Sequence, residues 1–321
     1  MIRSLPHSER ARMRIRPRVN DLLWMGAGAA VLLLFILLVL LFGKPPGPDA
    51  RLAARVRRLD LVARMQLGLA SASEAEKSAV LAITDAASQS FADQARSSTA
   101  EVERERRELA EQLSQGGTQE ERGLLDGFSR RFAEFQKIDD ELLGLAVRNS
   151  NLKAYALAFG AGADAVDEMR TALSGVVAAN ADSREVTALA LGAEIGALRI
   201  QTLLPPHIAE PSDARMDELE AQMAREDEQV RSDLQRLAAI PKLRGNGDLA
   251  TAAARYAKFG EIRSQILALS RENTNVRSLS ISLKEKRQVM LDCNEALSQL
   301  EDAIRKEPTE GNAYGERFHV R

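Results

Sequence analysis

Three polar side chains stand out because each interrupts an otherwise apolar helical stripe. Arg199 lies in the segment IGALRIQTLL, where its guanidinium could hold a carboxylate through two parallel hydrogen bonds. Asn149 and Asn273 lie in AVRNSNLKAY and ALSRENTNVRSL, where an amide could contact a small ligand inside a helix bundle. We predict these three residues as ligand-binding candidates. The plainer interpretations are an ion-paired surface arginine and a buried asparagine layer that fixes helix register.

The two asparagines begin a repeated N-x-N motif, completed by Asn151 and Asn275, and the repeats are 124 residues apart. Aligning residues 131–153 with 255–277 at this offset pairs identical residues at eight positions. Unrelated segments of ordinary composition would share about one or two. We infer two copies of one unit, residues 50–180 and 181–306, each long enough for four helices.

Apolar residues keep a seven-residue spacing through both motifs, and this spacing indicates whether the helix continues through them. In the first copy Phe135, Leu142, Asn149 and Ala156 share this spacing. A turn has no reason to preserve the spacing, so we predict a continuous helix with Asn149 and Asn273 buried. The second asparagine of each motif would then face outward. A turn is the alternative, because asparagine tolerates the left-handed conformation.

The composition predicts an all-α fold of long antiparallel helices. The chain is 28% charged, 45% hydrophobic and only 4% aromatic, with little of the enrichment that strands need. Turn signals fall at residues 114–122, 159–165, 203–214 and 239–250, and Thr118 with Glu121 forms a potential capping box. Long antiparallel helices joined by short loops form bundles. We therefore predict two tandem four-helix bundles.

The segment 22–42 contains no charged residue and is long enough to cross about 30 Å of hydrocarbon as a helix. It predicts a single anchor in a lipid bilayer, preceded by a basic tail (1–21) and followed by a Pro/Gly hinge (43–49). The short arginine-rich tail favours a cytoplasmic N-terminus and a periplasmic C-terminal domain at a bacterial inner membrane. Residues 307–321 are predicted to be a flexible tail.

Three segments resemble the four-helix-bundle sensor domain of methyl-accepting chemotaxis receptors. They are residues 120–160, 64–87 and 196–223, and the similarity is one of helix pattern and spacing. The resemblance implies a sensor of small organic acids or amino acids, commonly bound through arginines at a dimer interface. The second membrane helix and the cytoplasmic signalling part of those receptors are not in this sequence. A sensor of this kind would act as a homodimer or through a membrane signalling partner.

Other function classes find little support in the sequence. The net charge of −2 argues against nucleic acid as a partner, and the three histidines are scattered. Cys293 is the only cysteine and is expected to be a small buried apolar group. We expect no catalysis, no cofactor and no metal site. The predicted function is a membrane-anchored sensor or interaction module, and the alternative is a structural coiled-coil spacer of the cell envelope. A ligand-binding accessory to a transporter is a third class that no residue favours.

Overall fold

The computed structural model describes residues 48–306, and these are almost wholly helical, with no strand among them. The predicted tail 1–21, membrane helix 22–42 and C-terminal tail 307–321 lie outside the described residues, as does the hinge up to residue 47. The α-helices are α1 Pro48–Leu81, α2 Asp85–Gly116, α3 Gln119–Ala146, α4 Ser150–Phe159, α5 Ala161–Ala178, α6 Arg184–Ala209, α7 Asp213–Ala239, α8 Gly247–Glu272, α9 Thr274–Ile281 and α10 Arg287–Lys306.

Helix boundaries follow from capping residues that the sequence supplies. Thr118 accepts a hydrogen bond from the Glu121 amide, and the Glu121 carboxylate accepts one from the Thr118 amide, which confirms the predicted capping box. Thr84, Ser183 and Ser212 cap α2, α6 and α7 in the simpler one-bond manner. These bonds satisfy amides that have no partner inside the helix.

Two long segments, residues 119–178 and 247–306, are interrupted helices that dominate the architecture. The first comprises α3, α4 and α5, and the second comprises α8, α9, a π-helical turn at Ser282–Lys286 and α10. Counting each segment as one helix, the described residues form six long helices packed in antiparallel pairs. The all-α prediction is therefore confirmed for this part of the chain.

The described residues from Arg55 onward form one compact unit with two main hydrophobic cores. The other unit contributes only residues 48–54, the first turns of α1, to the described part. We call the helices around one core the first bundle: α1, α2, α3 and α10. The second bundle comprises α4 and α5 together with α6, α7 and α8.

This arrangement differs from the predicted division into residues 50–180 and 181–306. The turn between α5 and α6 does fall near residue 180, but it does not separate two cores. Helices α4 and α5 of the first sequence copy pack in the second bundle, and α10 of the second copy packs in the first. Each long segment therefore contributes to both cores.

Both long segments are irregular at the same distance beyond the N-x-N motif. The first breaks at Gly160, where an added Cβ would lie 2.8 Å from the Ala156 carbonyl oxygen. The second instead forms the π-helical turn, and Lys284 occupies the position 124 residues after Gly160. A kink and a π turn are two ways of absorbing a misfit in helix packing.

Among the described residues, α6 is the one helix long and apolar enough to cross a membrane. Its apolar face packs in the core of the second bundle.

Candidate functional sites

The two N-x-N motifs meet in the structure and form what we call the Asn crossing, residues 149–151 and 273–275. Asn149 and Asn273 adopt the left-handed conformation, with φ of 51° and 52°, and each long segment breaks there. The predicted continuous helix is therefore wrong. The turn alternative is correct for the backbone, but the chain does not return to the bundle it left. It enters the other bundle, whose core requires an apolar stripe again, and this explains the preserved spacing.

Hydrogen bonds across the crossing are reciprocal. The Ser150 amide donates to Thr274 Oγ1 and the Thr274 amide donates to Ser150 Oγ, both at 3.1 Å. The Asn151 amide donates to Asn275 Oδ1 at 3.2 Å, and the Asn275 amide donates to Asn151 Oδ1 at 3.1 Å. Each motif thus caps the first turn of the helix that follows the other motif. A local pseudo-twofold axis therefore relates the two motifs.

The asparagine amides are occupied by protein partners. Asn151 Nδ2 donates to Asn273 Oδ1 at 2.8 Å, and Asn275 Nδ2 donates to Asn149 Oδ1 at 3.0 Å. Asn149 Nδ2 reaches Asp85 Oδ1 at 3.0 Å, and this bond is the main reason that the pKa of Asp85 is lowered. Asn149 and Asn273 are buried as predicted, but Asn151 is buried as well, which corrects its predicted outward orientation. These bonds favour the register interpretation, and the ligand role of Asn149 and Asn273 stays a prediction.

The third predicted residue, Arg199, lies on an exposed face of α6. Its Nη1 is 3.4 Å from Glu226 Oε1 on α7, and the side chain remains 64% exposed. It borders an open cleft of about 330 Å³ between the two helices, which also includes Arg225, Gln222 and Thr202. Unlike the buried Asn149 and Asn273, Arg199 therefore lies on a surface that a solute can reach.

A second polar site, which we call the buried charge layer, consists of Glu76, Asp139 and Lys286 in the first bundle. The three residues are 0%, 2% and 1% exposed, respectively. Lys286 Nζ contacts Asp139 Oδ1 and lies 3.1 Å from the centroid of the Phe135 ring. Thr99 Oγ1 lies 3.5 Å from the other oxygen of Asp139. Neither carboxylate oxygen of Glu76 is hydrogen-bonded to any described residue.

Burial governs the ionisation of this layer. It raises the pKa of Glu76, and the neighbouring Ser282 hydroxyl and Lys286 offset this only in part. It raises the pKa of Asp139 and lowers the pKa of Lys286, in each case against the opposing influence of the partner. Burial likewise raises the pKa of the Cys293 thiol to about 12, consistent with its predicted role as a small buried group. All of these shifts favour the uncharged forms.

Sequence reasoning missed the buried charge layer although one signal was available. Asp139 lies four residues after Phe135 and three before Leu142, so it shares their buried helix face. Glu76 and Lys286 come from α1 and from the end of the π-helical turn, and only the tertiary packing brings them to Asp139. No sequence spacing relates the three.

The second bundle has a different layer at the equivalent position. Gly68 packs closely against Val102 in the first bundle, and Gly196 packs in the same way against Val230 in the second. Each residue of the second contact lies 128 residues after its counterpart in the first, and the same offset places Leu204 at the position of Glu76. The offset of 124 residues, which relates the long segments, pairs Asp139 with Arg263 and Lys286 with Gly162.

The polar groups of the second layer lie nearer to solvent. Arg263 pairs with Asp227 at 3.0 Å, and the two side chains are 15% and 17% exposed. The Tyr256 hydroxyl donates to Asp227 at 2.6 Å, and burial together with this carboxylate raises the pKa of Tyr256. This layer is an ion pair at the edge of a core, with Tyr256 buried beside it and Arg263 Nη1 without a hydrogen-bond partner among the described residues.

A serine, a histidine and a glutamate also come together in the second bundle. His207 Nδ1 is 2.8 Å from Ser270 Oγ, and its Nε2 is 2.9 Å from Glu220 Oε1. Ser270 is fully buried, and its hydroxyl donates to the His207 carbonyl oxygen at 3.0 Å. A nucleophilic serine needs access to substrate and a free hydroxyl proton for its base. The cluster therefore joins α6 to α8 and does not form a nucleophilic centre.

Comparison with known proteins supplies no further assignment. No family model matches the chain, and no curated protein and no solved structure is significantly similar to it. Within residues 48–306 no group of three or more histidine, cysteine, aspartate or glutamate side chains could hold a metal ion.

Proposed function

We propose that the chain is a membrane-anchored periplasmic sensor or interaction module that relays a signal through a partner protein. One observation carries the proposal: each long segment passes through both bundles, and the two segments are hydrogen-bonded at the Asn crossing. A rearrangement of helices in either bundle must therefore move a segment that is also part of the other. Coupling of this kind needs a contiguous element that both sites bias.

The bilayer anchor is residues 22–42, and the partner is a second copy of this chain or a separate membrane signalling protein. The resemblance to chemoreceptor sensor domains supports this choice over other functions of helical bundles. The site with the chemistry for a small organic acid or amino acid is the cleft beside Arg199. Arg225 adds a second guanidinium there, and Glu226 is positioned to release Arg199 when a carboxylate competes for it.

A ligand screen tests the sensing function. The full chain in mild detergent is heated with a panel of small organic acids and amino acids, and a binding ligand raises the melting temperature because it binds the native state only. We expect at least one carboxylate to do so, and Arg199→Ala to abolish the shift. Arg255→Ala is the matched control, because Arg255 is a comparably exposed, ion-paired arginine in a different cleft.

The alternative function is a structural spacer of the cell envelope that binds no small molecule. The occupied asparagine amides and the exposed position of Arg199 favour it. A screen without any shift, together with one partner recovered by crosslinking in membranes, would support the spacer and contradict sensing.

A further inference from the structure

The buried charge layer has a composition that an ordinary helix-bundle core avoids. Three ionisable side chains are almost fully buried, and only two of them contact each other. A buried carboxyl without a hydrogen bond is costly unless it is protonated or has a task. Replacing such a layer with apolar residues is often neutral or stabilising, and the second bundle has Leu204 where Glu76 stands. Stability alone therefore does not explain why these three ionisable residues are buried together.

We propose that Lys286 and Asp139 are joined by an intramolecular amide bond, formed autocatalytically with Glu76 as the proton carrier. The proposal is independent of the sensing function. It rests on the contact of Lys286 Nζ with a carboxyl oxygen of Asp139 and on the burial of both groups, with the buried carboxyl of Glu76 in the same layer.

The protonation states in this site suit the reaction. An amine attacks only in its neutral form, and a carboxyl is a far better acceptor when protonated than when ionised. Burial lowers the pKa of Lys286 and raises that of Asp139, so that the pair gains access to a neutral amine and a neutral carboxylic acid. Two reactants held in contact also avoid the entropic cost of encounter.

The step is a condensation that needs no external reagent. The lone pair of Lys286 Nζ forms a bond to Asp139 Cγ, and the bond from Cγ to the hydroxyl oxygen breaks. Protonated Glu76 donates its proton to the departing oxygen and takes up the proton that the nitrogen loses, so its own state is restored. The products are one amide and one water molecule. Because the core excludes water, the reverse hydrolysis is disfavoured.

The location gives the bond a structural purpose. Asp139 lies on α3 in the first long segment, and Lys286 ends the π-helical turn of the second. An amide between them fastens the second segment to the bundle that it enters beyond the Asn crossing. The second bundle cannot form this bond, because Gly162 stands at the position of Lys286.

The decisive measurement is the intact mass of the purified full chain. We expect a mass lower by one water molecule than the sequence requires. A tryptic digest should contain a branched peptide in which residues 138–148 are joined to residues 285–287. Finding the full sequence mass with cleavage after Lys286 would overturn the proposal, and so would a lost water that maps elsewhere.

Four variants and one internal control sharpen the result. Asp139→Ala and Lys286→Met should each have their full sequence mass. Asp140→Ala, which alters the exposed neighbouring carboxyl, should keep the branched peptide. The exposed pair Lys153 and Asp85, 3.3 Å apart, should stay unlinked in the same digest. Glu76→Gln should reduce the linked fraction at least tenfold, and complete linkage in that variant would remove Glu76 from the mechanism.

Discussion

The first and second bundles are built from equivalent helices, and one difference between their interiors is the buried charge layer of the first. The first contains Glu76, Asp139 and Lys286 in near-complete burial, whereas the second has Leu204 and Gly162 at the places of Glu76 and Lys286. The remaining polar group of the second layer, Arg263, reaches a partner near the surface. The difference shows that the helix framework is set by the apolar positions that both copies share. One layer can therefore contain buried ionisable residues in one bundle and apolar or small residues in the other without a change of fold.

The largest expected effect comes from breaking the buried pair. Asp139→Ala leaves Lys286 buried without its carboxyl partner, and we expect a loss of about 3–5 kcal/mol in the free energy of unfolding. Asp227→Ala in the second bundle should cost about 1–2 kcal/mol, because Asp227 lies nearer to solvent and its partner Arg231 is exposed. Chemical denaturation of the two full-length variants measures both. Equal losses would mean that the two layers do not differ energetically.

The Asn crossing is the part that both bundles share, so its two halves should respond alike. Asn149→Leu and Asn273→Leu place a branched side chain in the left-handed conformation and remove amide hydrogen bonds. We expect each to cost about 2–4 kcal/mol, because backbone strain and unmet buried bonds add together. Glycine at the same positions separates the two causes, since it keeps the conformation and loses only the amide. A stabilising effect of leucine would contradict the geometry described for the crossing.

The irregular turns of the two long segments provide a smaller contrast. In Gly160→Ala, the new Cβ would lie 2.8 Å from the Ala156 carbonyl oxygen, so we expect a loss of about 1–3 kcal/mol. Lys284→Ala in the π-helical turn alters an exposed side chain and should change stability by less than about 0.5 kcal/mol. Thermal unfolding of both variants measures the difference. If the two substitutions cost the same, the close approach in the first segment has no energetic weight.

The smallest expected effect is a pH dependence that belongs to the first bundle. A carboxyl whose folded pKa is raised contributes stability below its unfolded pKa and loses that contribution as the pH rises through the folded value. Glu76 should therefore lower the melting temperature as the pH rises above 4.5, its ordinary value. Glu76→Gln should flatten this part of the profile, whereas Glu101→Gln on an exposed helix face should not. An unchanged slope in Glu76→Gln would show that folding does not raise the pKa of Glu76.

The sequence was sufficient for the fold class, the repeat and the burial of Asn149 and Asn273. Composition and seven-residue spacing report which helix faces are buried, and these are local properties. They could not reveal the left-handed residue in each motif, because the chain resumes the same apolar spacing in the other bundle. The exchange of helices between cores was hidden for the same reason.

The buried charge layer was beyond the reach of local patterns for a different reason. Asp139 occupies a core-facing position, but a single acidic residue on a long helix is usually exposed. Its significance depends on Lys286, which lies 147 residues further along the chain. Only tertiary packing shows that a lysine and a second carboxyl occupy the same layer.

The reciprocal bonds of the Asn crossing have a consequence for the history of the chain. Contacts in which each partner presents the same surface to the other are those of an isologous twofold dimer. A shorter chain with only one copy of the unit could form the same body from two molecules, each contributing its last helix to the other's bundle. Fusion of two such genes would then have turned an exchanged dimer into a monomer, and would have freed one half to change its interior while the other kept its own.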